Sequence, residues 1–294
     1  MWISDNWKDY ELIDASRGER LERWGEFVLV RPDPQIIWDT ERTDPRWRSA
    51  DAVYKRSGGG GSWIKKNVPE SWEIKYKDAS FLVKPMGFKH TGIFPEQAAN
   101  WDFARGIITA SKAARPDGEV SVLNLFGYTG CASVACALAG ASVCHVDASR
   151  GMVAAAKGNM ALSGLSDAPC RYIVDDCVKF VRRELRRGKK YDAVIMDPPS
   201  YGRGPGGEVW KLEDCAFELI SLVAGVLKDE PLFFLINSYT TGLSPSSMGY
   251  MLMTALGKGK ASLGVLEAGE LGLPVASSGL PLPCGGSARW YRRF

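Results

Sequence analysis

The sequence predicts an α/β fold with a mostly parallel sheet, preceded by a small β-rich module. From residue 120 onward, short apolar runs typical of strands alternate with longer segments of helical periodicity. Before about residue 80, short strand-like runs are separated by breaks that contain proline and glycine. We therefore expect two domains, a β-rich domain over residues 1–80 and an α/β domain over residues 81–294.

The N-terminal part is rich in tryptophan, since seven of the ten tryptophans lie in it, at positions 2, 7, 24, 38, 47, 63 and 72. Its clearest predicted strands are 26–31 and Trp72–Tyr76. Large aromatic side chains can build the core of a small sheet, or they can form a surface on which nucleobases stack. The sequence leaves both interpretations open.

In the second part, a helix is predicted over 95–112, with Pro95 in its first turn. The predicted strands that follow are 120–125, 142–146, Cys170–Val174, 191–196, 231–237, 262–267 and 288–294. The last two are expected to be antiparallel neighbours. The segment 272–286, rich in glycine, serine and proline, predicts a long excursion between them.

The composition is that of a globular protein, with 45% hydrophobic residues and a net charge of +3. No run of eighteen apolar residues occurs, and the first residues lack a basic-then-apolar pattern, so we expect a cytoplasmic protein without a membrane segment. The seven cysteines lack paired spacing and only two histidines accompany them, which predicts buried free thiols and no metal site.

Open α/β sheets bind ligands at the carboxyl ends of their strands, and four strand ends are chemically distinctive here. Asn124 and a glycine turn from Phe126 to Gly130 follow the first strand and lead into a helix. Such a turn exposes backbone N–H groups. The next three strands end in Asp147, in the pair Asp175 and Asp176, and in the loop Asp197-Pro198-Pro199-Ser200-Tyr201-Gly202-Arg203.

Asp147 can accept hydrogen bonds from both hydroxyls of a ribose. The spacing of Gly127 and Gly130 is not the G-x-G-x-x-G that a pyrophosphate requires, which argues against NAD and favours a single nucleoside with a small zwitterionic tail. Asp176 is then placed to bind the exocyclic amine of adenine, and is preferred to Asp175 because it lies nearer the helix. Each carboxylate can alternatively cap a helix or lie in a solvated turn.

The two prolines after Asp197 predict a rigid, non-helical loop whose carbonyl and carboxylate oxygens stay available to a substrate amine or base edge. Tyr201 can stack on a flat ring, and Arg203 offers a forked donor to phosphate. A purely structural Asp-Pro-Pro turn is the alternative.

In this order, NLFGYTG, HVDAS, the acidic pair and DPPSYGRG resemble class I S-adenosylmethionine-dependent methyltransferases. With HTGIFPEQ ahead of them, they resemble more narrowly the bacterial group that methylates large-subunit ribosomal RNA, in which a small N-terminal module precedes the catalytic domain. The resemblance covers residues 80–250. It implies a Rossmann-like, seven-stranded, mostly parallel sheet, S-adenosylmethionine as cofactor and RNA as partner.

The resemblance also implies residue roles. It puts Asp147 on the ribose and Asp176 on the adenine, and it makes Asp197, Pro198, Pro199 and Tyr201 the catalytic acceptor site. The residues that it places around the methionine part of the cofactor and on its other side are, respectively, Asn124, Phe126, Gly127, Tyr128 and Gly130, and Thr91, Gly92 and Gln97.

One departure from the relatives bears on the acceptor atom. Methyl transfer to carbon 5 of a pyrimidine needs a cysteine thiolate that attacks carbon 6. Some relatives supply it just after the fifth strand, where this chain has Asn237-Ser238-Tyr239-Thr240, and the Pro-Pro loop has no cysteine either. A nitrogen acceptor is therefore favoured. Tyr201 also comes one residue later than the aromatic residue of the usual Asp-Pro-Pro-aromatic pattern.

The segment 179–190 places Lys179, Arg182, Arg183, Arg186 and Arg187 on one helical face. Arg183 and Arg187 are candidates for binding RNA phosphates, and a solvated basic face is the alternative. Two other functions also stay open at this point. One is methyl transfer to a small molecule or a protein side chain, and the other is a non-catalytic module that binds S-adenosylmethionine.

Overall fold

The computed structural model describes residues 1–58, 60–203 and 209–293, except for the side chains of Phe88 and Arg203. The chain forms two compact units. One comprises Ile3–Ala98 and Gly272–Pro283, and the other comprises Met1–Trp2, Ala99–Leu271 and the segment that begins at Cys284. These units divide after Ala98, and the domain boundary expected after residue 80 stays a prediction.

The first part of the chain is built almost entirely from strands. Its elements are β1 (Trp2–Ile3), β2 (Tyr10–Ser16), β3 (Glu19–Trp24), β4 (Phe27–Pro32), α1 (Arg46–Ser49), β5 (Ala52–Ser57), β6 (Gly60–Lys65), β7 (Trp72–Tyr76) and β8 (Ala79–Val83). Strands β2 to β6 form one sheet in chain order, and β7 pairs with β8 in a hairpin. The β-rich N-terminal part is confirmed, with β4 one residue later than predicted.

Aromatic residues of this unit serve its core. Trp24 is fully buried and contacts the ring of Tyr10 edge-on, with 4.7 Å between the ring centroids. A buried ion pair lies beside them, with 2.6 Å between Arg31 Nε and Glu22 Oε2. The core interpretation therefore holds for Trp24, whereas Trp38 is 39% exposed.

The rest of the chain alternates helices and strands. Its elements are α2 (Ala98–Ala114), β9 (Ser121–Leu125), α3 (Cys131–Leu138), β10 (Ser142–Asp147), α4 (Arg150–Leu162), β11 (Cys170–Val174), α5 (Cys177–Arg186), β12 (Ala193–Met196), β13 (Tyr201–Arg203), β14 (Val209–Lys211), α6 (Leu212–Ala224), β15 (Phe233–Ser238), α7 (Pro245–Ala261), β16 (Gly264–Pro274) and β17 (Pro281–Arg292). Short 3₁₀ turns, Gly87–Lys89 and Pro95–Gln97, precede α2.

The large sheet has the order β1-β16-β17-β15-β12-β9-β10-β11. Strands β15, β12, β9, β10 and β11 are parallel, and β17 is antiparallel to β15. The chain moves outward from β9 first through β10 and β11, and then through β12 and β15 on the other side. Ligands of open α/β sheets bind where the strand order reverses in this way. The predicted α/β fold class is confirmed, with the two-residue strand β1 added at the edge.

The apolar core packs against this sheet. Strand residues such as Val194, Phe234 and Trp290 are fully buried together with Phe180 of α5, Ile220 of α6 and Leu252 of α7. Among the described residues, no helix has both the length and the apolar character that are needed to cross a membrane.

The prediction of a long excursion over 272–286 is wrong. Strands β16 and β17 extend into this segment, are adjacent in the sheet and are joined by a short turn that contains Gly279 at φ +70°. Gly285 and Gly286 lie in β17, where a Cβ would come within 3.0 Å of the Tyr239 ring and 2.8 Å of the Pro245 ring. Glycine permits close packing inside a strand here, although its abundance in the sequence resembles that of a loop.

Candidate active site

The carboxyl ends of β9, β10 and β12 bring the predicted site residues of the larger unit to one edge of the sheet. The parallel register pairs Leu125 with Val146 on one side and with Met196 on the other. Asp147 is the next residue on β10, and Asp197 is the next residue after β12. The two carboxylates therefore flank the turn that follows β9.

That turn has an unusual backbone. Phe126, Tyr128 and Gly130 all have positive φ, at +55°, +51° and +81°. A non-glycine residue in this region is strained by about 1–3 kcal/mol, and such strain clusters at ligand sites. The backbone N–H of Gly127 donates to the Val146 carbonyl oxygen over 3.0 Å, which fixes the turn against β10.

The two glycines of the turn are required by close packing. A Cβ at Gly127 would lie 2.4 Å from the His145 ring, and a Cβ at Gly130 would lie 2.6 Å from the Cβ of Ala156 on α4. Neither neighbour is a flexible chain end. The glycines therefore let the turn lie directly on β10 and α4.

A buried polar chain supports the turn from below. Asn124 Nδ2 donates to Ser133 Oγ over 2.9 Å, and Ser133 Oγ lies 3.0 Å from His145 Nδ1. Burial lowers the pKa of His145 to about 4, so the ring is neutral at physiological pH. Asn124 is itself buried, and its contact with a methionine group stays a prediction. The supporting role of His145 was missed, although a histidine within a buried strand is a signal that could have indicated it.

Asp147 is held by backbone donors. Its Oδ2 accepts from the N–H of Tyr128 over 2.9 Å, and its Oδ1 accepts from the N–H of Ser149 over 2.8 Å. Both bonds orient the carboxylate without using another side chain. Asp147 is therefore an oriented acceptor at the strand end, and its contact with a ribose stays a prediction.

At the third strand end, Asp176 caps helix α5, since its Oδ1 accepts from the Lys179 N–H over 2.8 Å. The helix-cap alternative therefore holds for this residue, and a further role with adenine stays a prediction. The neighbouring Asp175 forms an ion pair with Arg183.

The Asp197 loop is held by side chains from later in the chain. Asn237 Nδ2 donates to Asp197 Oδ1 over 2.9 Å, Trp210 Nε1 donates to the Pro199 carbonyl over 2.9 Å, and Thr240 Oγ1 donates to Ser200 Oγ over 2.7 Å. Trp210 thus occupies one acceptor position of the Pro199 carbonyl oxygen, and the availability of this loop to a substrate stays a prediction. Trp210 was missed, because its distance in sequence from the prolines gives no local signal.

Tyr201 begins a short hairpin in which β13 pairs with β14, and its side chain is 51% exposed. An exposed ring at this position is able to stack on a planar substrate. The side chain of Arg203 lies outside the described residues, so its predicted contact with phosphate stays a prediction.

The remaining predicted residues divide into two groups. Arg187 Nη1 lies 3.2 Å from Glu184 Oε1, so Arg183 and Arg187 both have acidic partners, which supports the solvated basic face. Thr91, Gly92 and Gln97 belong to the N-terminal unit, where Thr91 is buried and Gly92 has φ +91°. Their assignment to the cofactor stays a prediction.

All seven cysteines are free thiols, and five of them are buried. Burial raises the pKa of Cys131 and of Cys136 to about 12. These thiols stay protonated at neutral pH. Within the described parts of the chain, no three His, Cys, Asp or Glu side chains are grouped so that they could hold a metal ion.

A family model for S-adenosylmethionine-dependent methyltransferases matches residues 46–211. The chain belongs to this family. Its cofactor is S-adenosylmethionine, and it is a methyltransferase. The arrangement at the sheet edge fits this cofactor, because a glycine turn packed against β10 adjoins a carboxylate that backbone donors orient.

The S-adenosylmethionine-dependent methyltransferase of Agrobacterium tumefaciens is similar over the whole chain. Its crystal structure has a TM-score of 0.89 and 34% identity, with 99% of this chain and 93% of that chain covered. A Streptococcus mutans protein described as such a methyltransferase shares the fold, with a TM-score of 0.73, 18% identity and coverage of 98% and 76%.

Among curated proteins, the chain is 34% identical over 155 residues to ribosomal RNA large subunit methyltransferase K/L of Shewanella baltica, a match that covers 51% of this chain and 19% of that protein. The protein of the same name from a Shewanella species (strain MR-4) is 38% identical over 125 residues, which cover 42% and 16%. The matched segment is thus less than a fifth of the length of these relatives.

Proposed function

We propose that this methyltransferase modifies a nitrogen atom of a base in RNA, that large-subunit ribosomal RNA is its substrate, and that the base binds at Asp197. The RNA substrate is supported by the names of the curated relatives, which are ribosomal RNA large subunit methyltransferases. The observation that carries the choice of nitrogen is the contact of Asn237 with Asp197.

Carbon 5 of a pyrimidine is not nucleophilic until a thiolate adds to carbon 6. The stretch 237–240, in which some relatives have that cysteine, contains none in this chain. Its first residue, Asn237, instead donates from its amide to Asp197 over 2.9 Å. Burial raises the pKa of Cys144, and Cys177 Sγ already accepts the backbone N–H of Phe126 over 3.3 Å. Burial thus disfavours the thiolate of Cys144, and Cys177 already has a backbone partner, which supports an acceptor that needs no thiolate.

When bound, the cofactor supplies a sulfonium methyl group as the electrophile. The carboxylate of Asp197 accepts a hydrogen bond from the acceptor amine and so orients the lone pair of the acceptor nitrogen toward the methyl group. Tyr201 stacks on the base. The nitrogen–carbon bond forms as the sulfur–carbon bond breaks, and an exocyclic amine then loses one proton to Asp197. Asp147 binds the ribose, Asp176 binds the adenine, and the turn from Phe126 to Gly130 binds the methionine part.

The test is methyl incorporation by the purified full chain. Tritiated S-adenosylmethionine is supplied with total RNA, protein and small-molecule fractions from cells that lack this gene and from cells that carry it. We expect label in large-subunit ribosomal RNA from the deletion strain only, and mass spectrometry of the digested RNA should place the methyl group on a nitrogen.

Asp197→Ala should abolish the labelling and retain cofactor binding, whereas Asp167→Ala, which changes an exposed aspartate of the α4–β11 connection, should leave both the labelling and cofactor binding unchanged. Label that enters only protein or small molecules would refute the RNA substrate. A methyl group found on carbon 5 would refute the choice of nitrogen.

A further inference from the structure

A continuous chain of hydrogen bonds runs from Asp197 into the interior of the larger unit. Asn237 Nδ2 donates to Asp197 Oδ1, Ser287 Oγ lies 2.7 Å from Asn237 Oδ1, and Asn100 Nδ2 lies 3.0 Å from Ser287 Oγ. Arg289 Nε and Nη2 close the chain on Asn100 Oδ1, at 2.9 and 2.7 Å. These four residues beyond Asp197 are all at most 3% exposed.

The register of the sheet explains why these residues meet. Met196 pairs with Ile236, so Asp197 and Asn237 are the next residues along two parallel neighbours. Asn237 in turn pairs with Ser287 on antiparallel β17. Arg289 is two residues further along β17 and therefore lies on the same face, where Asn100, near the start of α2, bridges it to Ser287.

The direction of every bond in this chain is determined by its two ends. A guanidinium has only donors, so Asn100 must present Oδ1 to Arg289 and its NH₂ to Ser287. Ser287 then accepts with its oxygen and has one proton left, which it donates to Asn237 Oδ1. Asn237 is left with its NH₂ facing Asp197, and an ionised carboxylate has only acceptors. The two ends agree on one polarity.

Arg289 is suited to be the fixed end. Its guanidinium is enclosed by rings, with Cζ 3.7 Å from the ring centroid of Trp2 and 4.9 Å from that of Phe103. Burial lowers the pKa of its guanidinium to about 10, which still leaves it charged at pH 7. Because this buried cation donates two hydrogen bonds to one amide oxygen, it strongly favours the observed orientation of the Asn100 amide.

We propose that Arg289, Asn100 and Ser287 are positioning residues for methyl transfer, which act by holding the Asn237 amide in the one orientation that anchors Asp197. This inference rests on the proposed function, in which Asp197 binds the acceptor. If the direction of these hydrogen bonds is reversed, Asn237 presents its carbonyl oxygen to the Asp197 carboxylate, and the two acceptors repel each other. The carboxylate then loses its alignment with the acceptor nitrogen.

Asn100→Asp tests the polarity with almost no change of shape. The introduced carboxylate keeps an acceptor for Arg289 and forms an ion pair with it, but it has no donor for Ser287. The Ser287 proton is then drawn to this carboxylate and away from Asn237. We expect kcat to fall by about tenfold or more, as misplacement of reacting groups does, with the Kd for S-adenosylmethionine unchanged within about twofold and the melting temperature not lowered.

Ser287→Ala removes the same link without adding a charge and should lower kcat similarly, while Ser287→Thr keeps the hydroxyl and should restore it. Arg292→Ala is the matched control, because Arg292 lies on the same strand but pairs with Glu230 at the surface, over 2.8 Å. It should leave kcat unchanged. A kcat that stays unchanged in both Asn100→Asp and Ser287→Ala overturns the inference, and so does a loss of kcat that is matched by an equal loss of cofactor affinity.

A second measurement needs no substrate. In nuclear magnetic resonance spectra of the full chain, the side-chain NH₂ signals of Asn237 are assigned by their loss in Asn237→Ala. We expect these protons to exchange slowly in the unmodified chain, and to shift and exchange faster in Asn100→Asp and Ser287→Ala but not in Arg292→Ala. Signals that do not move overturn the network. If RNA takes up no methyl group, the proposed function fails, while these signals still show whether the network orients Asn237.

Discussion

Asp147 and Asp197 end the two strands that flank β9, yet they are held in different ways. Asp147 accepts from two backbone N–H groups. One belongs to Tyr128, in the turn after β9, and the other to Ser149, two residues after Asp147. Asp197 accepts from the side chain of Asn237, which in turn depends on Ser287 and residues behind it.

This difference divides the edge of the sheet into two halves. On the half that carries Asp147, where we propose that the cofactor binds, the backbone of the turn holds the carboxylate, so the geometry depends on glycines and on backbone angles. On the half that carries Asp197, where we propose that the acceptor binds, buried side chains on separate strands hold the carboxylate, so a change at any one of them reaches Asp197. We call these the cofactor half and the acceptor half. The proposed acceptor residue is therefore the more sensitive of the two carboxylates to distant substitutions.

The largest effect is expected for Asp197→Ala. This change removes the group that we propose orients the acceptor, and it should lower kcat by about 10²- to 10⁴-fold, the range for loss of a positioned acid–base group. Because Asp147 and its backbone donors are untouched, the Kd for S-adenosylmethionine should stay within about twofold. Titration calorimetry and initial rates with the RNA acceptor provide the two measurements, and an Asp197→Ala variant that loses cofactor affinity would contradict the division into halves.

This division also explains how much could be predicted from the sequence. The turn after β9 and Asp147 are local features, so the pattern of one strand, two glycines and one carboxylate was enough to place them at the same edge. The alternation of strands and helices likewise predicted the parallel part of the sheet, since each strand there carries its own apolar run. Glycines that pack inside a strand, such as Gly285 and Gly286, imitate a loop and caused the error at 272–286.

The acceptor half could be predicted only to Asp197 and its loop. In the sequence, Asn237 is distinctive only as part of a stretch that lacks a cysteine. Its contact with Asp197 depends on the pairing of β12 with β15, which no local pattern specifies. Ser287, Asn100 and Arg289 carry no motif at all, and they meet because β17 returns beside β15. Trp210 reaches Pro199 by means of a hairpin whose register is equally invisible in the sequence.

The next largest effect is expected on the free energy of unfolding, from protonation of His145 beneath the turn of the cofactor half. Burial, against a smaller opposing effect of Asp147, lowers the pKa of His145 to about 4, compared with about 6.5 in the unfolded chain. Between these values the unfolded state binds a proton that the folded state does not. The free energy of unfolding should therefore fall as the pH falls from about 6.5 to about 4, by about 3 kcal/mol in total.

Urea unfolding across this pH range, together with the titration of the two histidine ring signals, measures the effect. His145→Asn should remove most of the slope between pH 6.5 and 5, and His90→Gln, at the other histidine of the chain, should retain the contribution of His145. A His145 signal that titrates near pH 6.5 would show that the support beneath the turn is not a buried neutral ring.

A smaller effect is expected for Asp147→Ala. The N–H groups of Tyr128 and Ser149 lose their acceptor, and the ribose loses the carboxylate that we propose binds its hydroxyls. Cofactor binding should therefore weaken by about 1.5–3 kcal/mol, the cost of a hydrogen bond to a charged group. At saturating S-adenosylmethionine, kcat should recover to within a fewfold of its original value, because the Asp197 network is intact. Calorimetry and saturation kinetics distinguish this from Asp197→Ala, and equal losses of kcat in the two variants would remove the distinction between the halves.

Gly130→Ala tests how far the cofactor half depends on its backbone, with Gly158→Ala as the matched control. A Cβ at Gly130 meets Ala156 at 2.6 Å and sits at φ +81°, whereas a Cβ at Gly158, exposed on α4, meets nothing within 4 Å. Gly130→Ala should lower the free energy of unfolding by about 1–3 kcal/mol and weaken cofactor binding. Gly158→Ala should instead raise the free energy of unfolding by up to about 1 kcal/mol. Because Asn237 is held from β17 and not from this turn, its side-chain NH₂ signals should stay in place in both variants. Movement of these signals in Gly130→Ala would show that the two halves of the edge are coupled through β9.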